Sequence, residues 1–190
     1  FGAVKLLTSL ETSDSRKIEI PNISSIEDYS IFCIKELHKY VETDFVLLIQ
    51  YDGFIINPDS WTDEFLKYDY IGAPWLVADW LIDRFEVPAN LKGQMIVGNG
   101  GFCIRSKKFL EVSNKLYKLG KIPKAQPEDI AMCVWHKDEF ENEEIKFAPA
   151  EIANKFSTEY ESIYKYDKQF GFHGFRYDKV NDFLRSNVKY

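Results

Sequence analysis

The sequence predicts a one-domain α/β fold, and three observations carry that prediction. The chain has 190 residues and 45% hydrophobic content, enough to bury one core. Apolar residues at helical spacing form one stripe over about residues 25–41. The unbroken apolar run Phe45–Ile49 follows, as in a strand covered on both faces of a parallel sheet. Because helix followed by buried strand is typical of α/β proteins, we expect a mixed, mostly parallel sheet flanked by helices.

The other elements are predicted in chain order. Short strands are expected at 3–8, 17–20, 68–71 and 102–105, and a short helix from 60 to about 67. Residues 76–96 show no clean period and are expected to form a loop with a short helix. Ser106 caps a helix that runs to Leu119 and stops at Gly120, and Pro127 begins another. A strand near 146–148, a helix near 151–155, a strand near 170–172 and a helix near 177–185 complete the prediction.

Charge and cysteine content exclude several classes of protein. The net charge is −6, which argues against non-specific binding to nucleic acid. Cys33, Cys103 and Cys133 are far apart and include no CxxC pair, so free thiols in a reducing compartment are expected. That predicts a cytoplasmic protein, with peripheral membrane attachment through a parent protein left open. No apolar run approaches the ~18 residues of a membrane-spanning helix. The chain opens on a strand-like run without an initiator Met, so we expect a piece of a longer protein.

The aromatic content of 16% has two interpretations. Large rings can build the core, or some of them can line a site for a sugar or a nucleotide, since their flat faces and polar edges suit such ligands.

The tetrapeptide Gln50-Tyr51-Asp52-Gly53 stands where the buried strand ends. In open α/β sheets ligands bind beyond the carboxyl ends of strands, so an acid there faces the cleft. A carboxylate in that place can hold Mn²⁺ or Mg²⁺, and the ion can bridge a diphosphate. The alternative is an ordinary Asp-Gly turn that closes a strand.

Three further groups could carry chemistry. Gly98-Asn99-Gly100-Gly101 precedes a strand and Arg105, and is either a backbone cradle for a sugar or its phosphate or a plain hairpin loop. Glu128 and Asp129 begin a helix; they either cap it or supply a general base. His173 lies between aromatic and glycine residues, and is either a buried histidine or a ring that reaches an open site.

Five motifs in this order resemble a known family. They read LLIQYDGF at 47–54, YDYIGAPW at 68–75, GNGGF at 98–102, PED at 127–129 and FGFHG at 170–174. Together they resemble a domain-of-unknown-function family of uncharacterised glycosyltransferase-like proteins, related to the GT-A class of sugar-nucleotide transferases. The resemblance runs from roughly Phe1 to Phe175.

The resemblance implies a GT-A-like (Rossmann-like) fold, a divalent metal, a UDP- or GDP-sugar donor and a glycan acceptor, as in polysaccharide biosynthesis. In that class an Asp-x-Asp motif binds the metal; here Gln50 replaces the first acid, so Asp52 is carried over, with His173 as a second ligand. Glu128 or Asp129 would be the catalytic base. The residues implied to bind substrate are Gln50, Tyr51, Trp75, Asn99, Gly100, Gly101 and Arg105, with Trp75 stacking on an acceptor sugar. The first strand of such a domain would lie before Phe1, so residues 1–190 would form a single domain that lacks it.

Three functions compete at this point. The first is a metal-dependent glycosyltransferase. The second is a non-catalytic glycan- or protein-binding module on the same fold, motivated by Gln50 and the missing strand. The third is a metal-dependent phosphodiester hydrolase, which is disfavoured because such enzymes use several acids and histidines around their metals.

Overall fold

The computed structural model describes residues 2–159 and 168–174. Within them, ten short strands form four small sheets. The strands are Leu6–Thr8 (β1), Lys17–Glu19 (β2), Phe45–Ile49 (β3), Gly53–Ile55 (β4), Tyr70–Ile71 (β5), Pro74–Leu76 (β6), Met95–Val97 (β7), Phe102–Ser106 (β8), Ser157–Thr158 (β9) and Gly171–His173 (β10).

Six α-helical segments accompany these strands in the same residues. They are Ile26–Ile31 (α1), Asp79–Phe85 (α2), Lys107–Lys118 (α3), Glu128–Ile130 (α4), Lys137–Asn142 (α5) and Ala150–Phe156 (α6). Two of them continue as π-helical turns, α1 into Phe32–Glu36 and α4 into Ala131–Trp135. Short 3₁₀ turns occupy Leu37–Tyr40, Pro58–Ser60, Asp63–Lys67 and Ala89–Leu91.

Local signals in the sequence identify two helices correctly. The predicted helix over about 25–41 is confirmed as a continuous helical stretch from Ile26 to Tyr40, begun by Ser25, whose side chain accepts a hydrogen bond from the Asp28 amide. The helix after Ser106 is confirmed as α3. The Ser106 hydroxyl accepts a hydrogen bond from the Phe109 amide at 2.9 Å, and Gly120 takes a φ of 70° just beyond the C-terminal end of the helix.

Other elements differ from expectation. Residues 76–96, expected as a loop with a short helix, contain α2 and also contribute to the paired strands β6 and β7. Near 146–148 there is no strand, only an isolated parallel bridge between Phe147 and Tyr70. The predicted helix near 177–185 lies outside the described residues.

The predicted mostly parallel, Rossmann-like or GT-A-like sheet is wrong. β8 lies between β3 and β5 and is antiparallel to both, with Ile49 opposite Phe102 and Tyr70 opposite Arg105. β6 and β7 are also antiparallel, and β10 is antiparallel to β4 and parallel to β9. The apolar run in β3 indicated burial, but burial does not determine the direction of a neighbouring strand. The chain therefore has several short, mostly antiparallel sheets with helices.

The central strand β8 connects two parts of the core. Successive side chains of a strand point to opposite faces. Phe102 and Ile104 therefore pack into one apolar cluster with Phe65, Phe156 and Phe170, whereas Cys103 packs into a second cluster against the first helical stretch and α3. A third cluster surrounds Trp75 on β6. Burying one such side chain contributes about 1.5–3 kcal/mol, so these clusters are the main stabilising feature.

Much of the aromatic content serves this core. Phe102 and Phe156 have ring centroids 5.3 Å apart, and Phe156 and Phe170 are 5.9 Å apart. All three rings are fully or almost fully buried. The first interpretation of the aromatic content, a core of large rings, is confirmed for these residues.

Gly72 should be sensitive to substitution, because it lies between β5 and β6 directly against the backbone of the glycine-rich loop. A Cβ at this position would lie 1.8 Å from the Gly98 carbonyl oxygen. Backbone cannot move aside as a flexible side chain can, so we expect Gly72→Ala to lower the free energy of unfolding by about 1–3 kcal/mol. Urea denaturation measures this. Gly2→Ala, whose Cβ meets no atom within 4 Å, is the control; equal midpoints for both variants would contradict the prediction.

Candidate active site

The candidate site forms where β3 ends, because the chain turns sharply there. The Gln50 amide donates to the Gly101 carbonyl at 2.8 Å, and the Gly53 amide donates to the Gln50 carbonyl at 2.9 Å. The turn leads into β4, which pairs with β10 so that His173 stands opposite Gly53. This register brings His173 beside the turn, although it lies 123 residues from Gln50 in the sequence.

The His173 ring contacts three side chains. Its Nε2 lies 3.1 Å from Asp52 Oδ1 and 3.2 Å from Gln50 Oε1, and its Nδ1 lies 2.9 Å from Glu159 Oε1. We call Gln50, Asp52, Glu159 and His173 the His173 cluster. A Cβ on Gly101 would lie 2.1 Å from Nε2, so the ring can occupy this place only because residue 101 has no side chain.

The charges of the His173 cluster depend on one another. Burial alone would lower the pKa of His173, but the carboxylates of Glu159, Asp52 and Asp129 outweigh burial and raise it above its usual value. Burial raises the pKa of Glu159, against the opposing effects of His173 and the Trp75 indole. The cluster thus favours a positive charge at or near the imidazole ring.

Three side chains of the His173 cluster, Asp52, Gln50 and His173, present atoms of the kinds that divalent cations accept as ligands. Asp52 Oδ1 is buried without a hydrogen-bond partner among the described residues, since its contact with Nε2 is close but lacks hydrogen-bond geometry. Nε2 therefore faces two oxygen acceptors, an arrangement that needs a proton or a metal ion between the three atoms. Carboxylate and amide oxygens suit Mn²⁺ or Mg²⁺, and an imidazole suits transition-metal ions. Across residues 2–159 and 168–174 there is no group of three or more His, Cys, Asp or Glu side chains arranged for a metal, so the amide of Gln50 would have to contribute.

The acid pair also adjoins the glycine-rich loop, and its two members have different surroundings. Asp129 accepts from the Gly100 amide at 3.0 Å and from the Ile130 amide at 2.8 Å, which fixes the loop to the start of α4. Glu128 is only 4% exposed, and its Oε1 lies 3.5 Å from a guanidinium nitrogen of the fully buried Arg105. A Cβ on Gly100 would lie 2.0 Å from the same Oε1.

The pKa of Glu128 is raised to about 7, chiefly by burial and then by the charge of Asp129, with Arg105 opposing both. A carboxyl with such a pKa can take up a proton near neutral pH. Asp129 instead accepts hydrogen bonds from the Gly100 and Ile130 amides. Of the two acids, Asp129 is therefore the one that holds the loop.

Both groups face one cavity of about 580 Å³, within the size range of small-molecule sites. Its walls combine hydroxyl, amide and carboxyl groups with two isoleucines. The lining residues are Ile23, Ser24, Ser25, Ile26, Tyr29, Gln50, Gly100, Gly101, Pro127, Glu128, Asp129 and His173. The cavity therefore brings together six of the residues identified in the sequence, and Asp52 joins them through His173.

Four other residues identified in the sequence are placed differently. Trp75 is 4% exposed and donates its indole N–H to Glu159, so it does not offer a face to a ligand in the cavity. Arg105 is fully buried behind Glu128. Asn99 is also buried, and its Oδ1 accepts from the Gly101 amide at 2.9 Å, so it braces the loop from within. Tyr51 is 84% exposed on the turn beside Asp52.

Sequence reasoning missed Glu159 and Tyr29. Glu159 directly follows β9, the position that drew attention to Asp52 after β3, so the same rule could have found it had that short strand been recognised. Tyr29 lines the cavity from α1, together with Gln50 on the turn after β3. Its place in the apolar stripe of the helix gave no sign of that position.

Comparison with known proteins connects the chain with one family. The described residues contain no helix long and apolar enough to span a membrane. No curated protein and no solved structure matches the chain. A family described as "Protein of unknown function (DUF5672)" matches residues 13–173, most of the chain. That description assigns no activity, so it supports the unknown-function part of the resemblance and no more. The chain belongs to the DUF5672 family of proteins of unknown function.

Proposed function

We propose that this chain is a divalent-metal-dependent glycosyltransferase that moves a sugar from a UDP- or GDP-sugar to a hydroxyl group of a glycan acceptor. The observation that carries the proposal is the convergence of two groups on one cavity. One is the His173 cluster, in which Nε2 lies within 3.2 Å of two oxygen donors, and the other is the buried Glu128, with a pKa of about 7.

The donor side of the reaction depends on the His173 cluster. Asp52, His173 and the amide oxygen of Gln50 would hold Mn²⁺ or Mg²⁺, and Glu159 would orient His173 from behind. When bound, the ion supplies positive charge that stabilises the diphosphate as it departs. The amide and the single carboxylate carry little charge of their own, which leaves room for the negative phosphates. The cavity is otherwise acidic, so a diphosphate without a cation would be repelled.

The acceptor side depends on Glu128. In the transfer, the acceptor oxygen bonds to the anomeric carbon while the bond from that carbon to the phosphate oxygen breaks, and its electron pair stays with the diphosphate. The proton of the acceptor hydroxyl passes to the Glu128 carboxylate. Ser24, Ser25 and Gln50 on the cavity wall offer hydrogen bonds that suit further hydroxyl groups of a sugar.

A glycan-binding module without turnover is the second candidate. One observation favours it: Gln50 stands where a second carboxylate would strengthen metal binding, and its side-chain oxygen already lies 3.2 Å from His173 Nε2. Release of UDP or GDP from a supplied nucleotide sugar and acceptor separates the two functions. Release above the rate of a no-acceptor control supports the transferase, whereas glycan binding without release supports the module.

The metal role of Asp52 can be measured directly. We expect UDP or GDP to bind tightly in isothermal titration calorimetry only when Mn²⁺ is present. Asp52→Ala should lose this tight binding, and Mn²⁺ should no longer change the affinity for the nucleotide. The fold should tolerate the change, because the Gly174 amide bonds the backbone oxygen of Asp52 rather than its side chain.

Asp59→Ala is the matched control, since Asp59 is an exposed acid seven positions along the chain, outside the cavity lining. We expect it to bind as the wild type does. Failure of the wild-type chain and of its parent protein to bind either nucleotide with any divalent ion would rule out the proposed function.

The buried acid predicts a pH dependence of stability. The pKa of Glu128 is raised in the folded state to about 7 from an ordinary 4.5, so its neutral form is favoured by folding. This contribution is complete below about pH 4.5 and is lost as the pH rises through about 7, with an upper bound of roughly 3 kcal/mol. Glu128→Gln should flatten this part of the pH profile of the unfolding free energy.

Urea unfolding at several pH values between 4.5 and 8 measures the slope. Glu111→Gln, an exposed glutamate on α3, is the control and should keep the wild-type slope. The slope is the informative quantity, because the amide of Glu128→Gln can also change the contact with Arg105 by an amount that does not depend on pH. An unchanged slope in Glu128→Gln would contradict the assignment.

A further inference from the structure

Trp75 is buried, and its indole N–H donates a hydrogen bond to Glu159 of the His173 cluster. Its indole Nε1 donates to Glu159 Oε2 at 2.5 Å. The ring belongs to the apolar cluster with Val77 and Leu81, and a Cβ on Gly98 would lie 2.2 Å from it. Trp75 is therefore held by packing, and its N–H has a fixed direction.

Glu159 connects this indole to the candidate metal site. One of its carboxylate oxygens receives the Trp75 N–H, and the other lies 2.9 Å from His173 Nδ1. Its backbone is fixed as well, because it follows β9, whose Thr158 pairs with Phe172 of β10. Both oxygens of Glu159 are thus committed, and the carboxylate has one orientation.

The orientation of Glu159 determines which ring nitrogen of His173 is free. A carboxylate accepts hydrogen bonds, so Nδ1 carries a proton toward Glu159. Nε2 is then the nitrogen that can offer a lone pair, and it faces Asp52 Oδ1 and Gln50 Oε1. Metal-ligating histidines commonly have such a carboxylate behind them, and its loss typically costs 10–100-fold in metal affinity.

We propose that Trp75 is a positioning residue for the metal site: its indole N–H fixes Glu159, which fixes the His173 ring with Nε2 toward the ion. This inference rests on the proposed metal-dependent function, and it gives Trp75 a role other than stacking on a sugar. The relay runs from the apolar cluster around β6 to the turn after β3, so packing around Trp75 affects metal affinity at that turn.

The test is Mn²⁺ affinity, measured without nucleotide by the loss of the free Mn²⁺ electron paramagnetic resonance signal. Trp75→Phe keeps an aromatic ring in the cluster and removes the N–H. We expect its Mn²⁺ affinity to fall about 10-fold, the low end of the range because Trp75 acts through Glu159. Glu159→Gln should lose at least as much.

Trp135→Phe is the matched control. Trp135 packs against the same apolar cluster and its indole N–H donates to the Phe85 carbonyl at 3.0 Å, with no connection to His173. This variant loses an equivalent hydrogen bond, and we expect its Mn²⁺ affinity to stay within 2-fold of the wild type. A role of Trp75 in stability alone would lower the unfolding midpoints of both variants and leave both affinities unchanged.

A measurement on the wild type covers the case in which Trp75→Phe does not fold. In ¹H–¹⁵N spectra the four tryptophan indoles can be assigned by substituting the other three in turn. We expect Mg²⁺ to shift the Trp75 indole resonance and leave that of Trp135 in place.

The outcomes separate the two proposals. Mn²⁺ binding that is equal in wild type and Trp75→Phe, or an unshifted Trp75 indole in a protein that binds Mg²⁺, overturns the positioning role alone. A wild-type protein that binds neither ion overturns the proposed function and this inference together.

Discussion

The two glycines of the loop before β8 are the constraint on which the candidate site depends. The space that a side chain at Gly100 would fill is taken by the Glu128 carboxylate, and the space at Gly101 is taken by the His173 ring. An acid and an imidazole therefore both lie directly against the bare backbone of adjacent residues. Asp129 and Asn99 hold that backbone in place through its amides, so the arrangement is fixed by hydrogen bonds as well as by shape.

The buried guanidinium of Arg105 sets the electrostatic surroundings of Glu128. Arg105 is fully buried, and none of its side-chain nitrogens has a hydrogen-bond partner among the described residues. Its Coulomb attraction to Glu128 opposes the effect of burial on that acid, while the ring of Tyr70 lies 5.6 Å from the guanidinium carbon. A buried cation without good partners is costly, and such costs are usual at functional sites. Here the Arg105 cation lowers the pKa of Glu128, which lines the cavity.

The sequence allowed part of the site to be predicted and concealed the rest. Asp52 and His173 were identified because strand ends and glycine-flanked rings are visible as local patterns, and the structure places them in contact. The direction of the strands was predicted wrongly, because the apolar run of β3 has the same composition in either kind of sheet. The burial of Trp75 could not be predicted, since an indole that faces a ligand and one that faces Glu159 look alike in one dimension. Glu159 itself belongs to no motif, and only the β9–β10 pairing explains its place.

The pairing of β4 with β10 also has a consequence for synthesis of the protein. The turn that carries Asp52 is made early, whereas Glu159 and His173 emerge from the ribosome more than a hundred residues later. Until β10 has been translated and has docked beside β4, the nascent chain has the loop and the acid pair but lacks His173 beside the turn. Under the proposed function, an activity that needs His173 begins only once β10 has paired with β4, and a chain that ends before His173 is inactive.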